Sequence, residues 1–160
     1  MIRNPKAKGT RAENELADIL WERGFAVVRG PASGGGAKRR FQPDLVAVRD
    51  GKVLVIEVKS RSGSGPLYIE AEQVVGLAEF ARRAGGLALI AFRARGGEWR
   101  FHAVESLRPT GSSFAVDDPA SGMRLRDVEE MLERKHKDLS TYLRLDSNSP
   151  SLSKLDTTDL

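Results

Sequence analysis

Pro43-Asp44-Leu45-Val46-Ala47-Val48-Arg49, then Asp50-Gly51, then Lys52-Val53-Leu54-Val55-Ile56-Glu57-Val58-Lys59 is the stretch on which the fold turns. Two apolar runs rich in β-branched residues flank an Asp-Gly pair, a strong short-range signal for an antiparallel hairpin. Such runs bury their side chains, so a carboxylate and an ammonium inside them are costly unless paired or metal-bound. Side chains alternate along a strand, which puts Lys59 on the same face as Glu57. On adjacent antiparallel strands, Asp44 and Glu57 can converge at one end of the pair.

Upstream, Thr10 with Glu13 three residues later reads as a capping box opening a helix that closes at Gly24. Leu16, Ile19 and Leu20 give that helix its apolar spacing, with Trp21 expected in the core or half-buried. A strand over 25–29 follows, then a loop over 30–42 carrying Ser33, three consecutive glycines, and Lys38, Arg39 and Arg40. Downstream, a Ser/Gly loop spans 61–66 and a short extended piece spans 67–69. A helix over 72–84, with an apolar stripe of Val75, Leu77, Ala78, Phe80 and Ala81, stops at Gly85-Gly86. A buried strand covers 87–93, and a last strand over 99–104 pairs antiparallel to it through Gly96-Gly97. A short helix fits 125–134. This order predicts an α/β fold: a central mixed sheet flanked by helices.

The 160 residues are enough for one domain with a real core. We expect that domain over 1–132, with 1–9 a flexible basic arm and 133–160 a largely disordered C-terminal extension. Residues 146–160 are rich in Ser, Asp and Thr, with three acids against one lysine. The absence of cysteine excludes disulfides, thiol nucleophiles and cysteine-based zinc sites. His102 and His136, the two histidines, are expected to be structural or surface residues rather than a zinc site. No apolar run approaches a membrane span and no secretory signal opens the chain, so an intracellular, membrane-free protein is expected. Net charge is +4, and residues 1–40 hold nine Lys/Arg against four acids. A basic front half suits a polyanion such as nucleic acid, though it equally describes a soluble basic surface.

Asp44 and Glu57 offer the hard oxygen ligands that Mg²⁺ prefers, and Lys59 could orient a water or neutralise developing charge at a phosphodiester. The competing reading is a structural ion pair at a strand end. Glu13 could complete a metal shell or serve only its capping box.

Several blocks share a family likeness: Lys8-Gly9-Thr10-Arg11-Ala12-Glu13, Gly24-Phe25-Ala26-Val27-Val28-Arg29, Pro43-Asp44, Glu57-Val58-Lys59, Leu67-Tyr68-Ile69, 80–86 and Trp99-Arg100-Phe101. Together, over roughly residues 8 to 132, they resemble the archaeal Holliday junction resolvases of the PD-(D/E)xK nuclease superfamily. The resemblance implies a restriction-endonuclease-like core and a homodimer that nicks two opposing strands of a four-way DNA junction with Mg²⁺, Mn²⁺ being able to substitute. It implies that Glu13, Asp44 and Glu57 bind metal, that Lys59 is catalytic, that Ser33 lies beside the scissile phosphate, and that Arg29 contacts phosphate. Lys38, Arg39 and Arg40 suit the backbone of the junction. Arg93 stands where the family often has lysine, which favours DNA contact over catalysis there. Asn14 departs from a basic residue that some relatives carry.

Candidate dimer surfaces are the helix with Val75, Leu77 and Phe80 and the strand with Trp99 and Phe101. The acidic tail could dock a replication or recombination partner. Two rivals stay open: a superfamily endonuclease acting on linear duplex, and a non-catalytic junction-binding paralogue.

Overall fold

The computed structural model describes residues 5–31 and 40–134, with backbone alone for 5–8. Ser33, Lys38, Arg39, His136 and the tail lie outside the described residues. Helix α1 spans Pro5–Glu22, followed by strands β1 (Ala26–Arg29), β2 (Leu45–Arg49), β3 (Lys52–Arg61) and β4 (Leu67–Glu70). Helix α2 (Ala71–Ala84) leads to β5 (Leu87–Ala94), β6 (Arg100–Ala103), β7 (Arg108–Thr110) and β8 (Ser113–Val116). A helix α3 occupies 125–134.

The hairpin forms as its sequence predicts. Asp50 and Gly51 both take positive φ, 52° and 73°, the backbone of a two-residue turn that matches strand twist. Arg49 pairs with Lys52 and Leu45 with Ile56. The main sheet runs β1-β2-β3-β5-β6. Its one parallel pair is β3 with β5, joined through α2, and the other pairs are antiparallel. This is the mixed α/β sheet expected.

Alternation along β3 divides the core. Leu54 and Ile56 face α1 and α3, packing with Leu16, Leu20, Phe25 and Val128. Val55 faces the other way, into a layer built by Ile69, Val74, Leu77 and Phe92. Each buried side chain of Leu size contributes about 1.5–3 kcal/mol to holding these layers. Ion pairs fasten α3 to the hairpin: Arg49 lies 2.7 Å from Glu129, part-buried, and 4.3 Å over the Phe25 ring, and at the surface Lys52 lies 2.6 Å from Glu133. Glu129→Ala is expected to destabilise the fold by about 1–2 kcal/mol, read by chemical denaturation.

Four expectations are corrected. Helix α1 starts at Pro5, inside the stretch expected as an arm, so Thr10 sits within the helix and no capping box forms there. Proline at the first helical position needs no N–H partner and is a good starter. Trp21 is 66% exposed, because the buried stripe is Ala12, Leu16 and Leu20 and position 21 falls off it. On α2 the buried residues are Val74, Leu77 and Ala81, while Val75 is 62% exposed. The strand near 100 is not the last: β4, β8 and β7 form a separate three-stranded antiparallel sheet. Among the candidate dimer residues, Leu77 and Phe101 are buried within the protomer. Among the described residues no helix is long and apolar enough to cross a membrane.

A carboxylate cluster at the open end of the hairpin

The register that pairs Leu45 with Ile56 places Asp44 opposite Glu57, one step further from the turn. The Glu57 side chain shares the sheet face of Val55, toward α2. The carboxylate of Asp44 accepts from the backbone N–H of Val58 at 2.7 Å, which fixes its position to the central strand. Glu57 is 6% exposed and is the one buried charged residue among those described. Lys59 donates to Glu57 Oε1 at 2.9 Å and to Gln73 Oε1 of α2 at 3.2 Å. Gln73 is a partner that sequence reasoning missed, since nothing local marks a helical glutamine as facing a strand lysine.

Burial pushes the Glu57 carboxyl up, the negative charge of Asp44 adds to the rise, and Lys59 opposes it. Glu13 is also raised, by burial first and then by Asp44, with Arg29 pulling the other way. Asp44 is therefore within electrostatic reach of both glutamates, the first from α1 and the second from β3. Arg29 lies 3.7 Å from Glu13 and donates to the Asn14 side chain. Asn14 thus holds a basic side chain beside Glu13.

Arg93 sits in a different setting. Its guanidinium makes a two-pronged bond to Glu15 of α1 and lies 4.9 Å over the Trp99 ring. Hydrogen bonding to Arg93 holds the Glu15 carboxyl below the usual range. Arg40 is exposed beside Phe41, whose ring packs on Gly76 of α2, with Arg83 across the same groove. Of the described basic residues expected to meet DNA, Arg29 is the one paired directly with the carboxylate cluster.

Gly30 keeps the approach to Asp44 narrow. Its N–H donates to Asp44 O at 2.8 Å, and a Cβ there would lie 2.2 Å from Pro43 O. Backbone cannot give way as a flexible side chain would. Gly30→Ala is expected to cost about 1–3 kcal/mol of stability in a denaturant melt and to depress any activity that depends on Asp44.

The donor chemistry suits a hard divalent cation. Asp44 lies in electrostatic reach of both glutamates, whose carboxyls are raised by burial first and then by its like charge, the part that a cation relieves. Among the described residues no set of three or more His, Cys, Asp or Glu closes into a metal cage. Mg²⁺ does not require one: it commonly takes one or two carboxylates and completes its shell with water and substrate phosphate.

A mixed sheet with two acids and a lysine at the end of its central hairpin defines a restriction-endonuclease-like nuclease fold. A bacterial homing endonuclease, I-Ssp6803I, shares that fold at 16% identity and a TM-score of 0.50, over 88% of this chain and 99% of that one. The chain belongs to the archaeal Holliday junction resolvase (Hjc) family, whose model matches residues 4–137. Crossover junction endodeoxyribonuclease Hjc of Sulfurisphaera tokodaii is 38% identical over 133 residues, 81% of this chain and 91% of that protein. The counterpart of Archaeoglobus fulgidus is 38% identical over 124 residues, 78% of this chain and 89% of its own length. A solved structure of A. fulgidus Hjc, described as a Holliday junction resolvase, superimposes with a TM-score of 0.65 at 36% identity, covering 76% of this chain and 94% of that one.

Proposed function

We propose that this protein resolves four-way DNA junctions, cutting paired phosphodiester bonds symmetrically as a Mg²⁺-dependent homodimer in recombination and repair. The observation that carries the reading is the convergence of Asp44, Glu57 and Lys59 at one strand end, in a chain of the resolvase family. Glu13, Asp44 and Glu57 would hold the cation, which supplies charge neutralisation and an activated water when bound. Lys59, kept in place by Glu57 and Gln73, is positioned to orient that water or to offset charge on the phosphoryl oxygens. Ser33 is assigned to the scissile phosphate. Arg29, Lys38, Arg39 and Arg40 are assigned to flanking phosphates, and Arg93 only after it leaves Glu15.

A two-fold dimer supplies two identical sites related as the junction arms are. Val75, exposed on α2, is the foremost candidate for its surface. Junction shape rather than base sequence would be read, so phosphate contacts dominate and binding weakens with salt.

The test incubates purified protein with an end-labelled synthetic four-way junction and with its component duplexes, with and without Mg²⁺. Cuts at symmetry-related positions, in the junction alone and only with Mg²⁺ or Mn²⁺, are expected. Equal cutting of the plain duplexes, or binding without cutting, would overturn the reading.

A further inference from the structure

A second basic feature lies beyond the carboxylate cluster, at the far ends of β3 and β5. Arg11, Arg61, Arg93 and Arg95 line one crevice of about 210 Å³, and no acid among the described residues contributes to its wall. A neighbouring hollow of about 370 Å³ is lined by Lys59. The two share Ala12, Ser60 and Arg61, so they form a continuous trough leading from the lysine of the cluster to the arginines.

The four arginines are not equivalent. Arg93 is neutralised by its two-pronged bond to Glu15. Arg11 feels the charge of Glu15, but that carboxylate is already committed to Arg93. Arg61 is half-buried and donates to the backbone carbonyls of Pro66 and Gly65, which satisfy nitrogens without cancelling charge. Its Nε is buried with no hydrogen-bond partner. Arg95 engages no carboxylate among the described residues. A half-buried guanidinium without a counter-charge is costly, and an anion in the crevice would remove that cost.

Spacing identifies the anion. Arg61 follows Lys59 by two residues on the same strand, a step of about 7 Å. That step matches the separation of neighbouring phosphates along one nucleic-acid strand. We infer that the crevice of Arg11, Arg61 and Arg95 binds a backbone phosphodiester of the cleaved strand, a short distance along from the bond held beside Lys59. The inference rests on the proposed nuclease function, and it adds a phosphate-binding subsite at the C-terminal ends of β3 and β5.

The test uses the full chain and a four-way junction without divalent metal, so that binding is measured apart from cutting. Fluorescence anisotropy across a salt series compares the parent with Arg95→Ala and with the double variant Arg11→Ala/Arg95→Ala. Both side chains are exposed, and an unchanged melting temperature confirms folding. The slope of log affinity against log salt should shrink by about 1 for each arginine removed, with Arg95→Lys keeping most of it. Junctions carrying a single neutral methylphosphonate on the cleaved strand then locate the contact. One position should weaken binding by the parent and have no effect on the double variant. An unchanged slope, or equal methylphosphonate sensitivity in parent and variant, overturns the inference even if the parent cleaves junctions normally. A parent that binds with the expected slopes but never cuts would instead retain the crevice and sink the nuclease reading.

Discussion

Asp44→Asn is expected to lower junction cleavage by roughly 10³-fold, about 4 kcal/mol of transition-state stabilisation, while junction affinity changes by less than about twofold. The fold should survive, because an asparagine carbonyl can still accept the Val58 N–H that Asp44 holds at 2.7 Å. What disappears is the negative charge, which both glutamates face and which a divalent cation would share. Single-turnover cleavage and anisotropy on one preparation separate the two effects. An unfolded variant would make Asp44 a structural residue, and undiminished cutting would remove it from the site altogether.

Glu57→Gln is expected to abolish cutting and, without metal, to raise the melting temperature by a few degrees. Burial and Asp44 lift the Glu57 carboxyl above its ordinary 4.5, so the folded state binds the proton more tightly than the unfolded chain does. Proton binding therefore contributes stability that is fully present below about 4.5 and is lost as pH rises through the elevated folded value. Above that folded value the parent carries a buried charge that the variant lacks. An amide at position 57 can accept from Lys59 and donate to Asp44, so the substitution need not orphan either partner. Two readouts follow. The gain in melting temperature should shrink toward zero as pH falls below the carboxylate range. Mg²⁺ should raise the melting temperature of the parent and leave the variant nearly unmoved. A variant less stable than the parent at neutral pH would mean that the Lys59 pairing outweighs burial and repulsion.

The sequence was most legible where chemistry is local. Asp50-Gly51 specifies its turn through backbone conformations open to few other pairs. The two-residue period of a strand was enough to put Lys59 beside Glu57. The helix stop at Gly85-Gly86 followed from a left-handed Gly85 whose following amide caps Ala81. Legibility failed where several local readings were equally sound. Thr10 and Glu13 satisfy a capping box on paper, but a helix begun at Pro5 leaves the threonine inside it and frees Glu13 to face Asp44. Strands β7 and β8 are three and four residues long and include a proline, too short for alternation to declare itself.

In the cluster, the parts carried by the hairpin were readable and Glu13 of α1 stood as a candidate, whereas the other helical neighbours were not read. Gln73 and Asn14 enter through tertiary packing, which no window of sequence contains. Arg93 was read as an open cation because its partner, Glu15, lies 78 residues away along the chain.

That partnership has a mechanical side. Glu57 belongs to a strand locked rung by rung and Asp44 sits just before another, tied to Val58 N–H, whereas Glu13 travels with a helix clasped to β5 two residues further on, at Glu15. A polyanion that displaced Glu15 from Arg93 would open the clasp within a single helical turn of Glu13. Substrate arrival would then be felt as slack in one jaw of the cluster while the other two stay rigid, making Glu13 the adjustable member of an otherwise fixed grip.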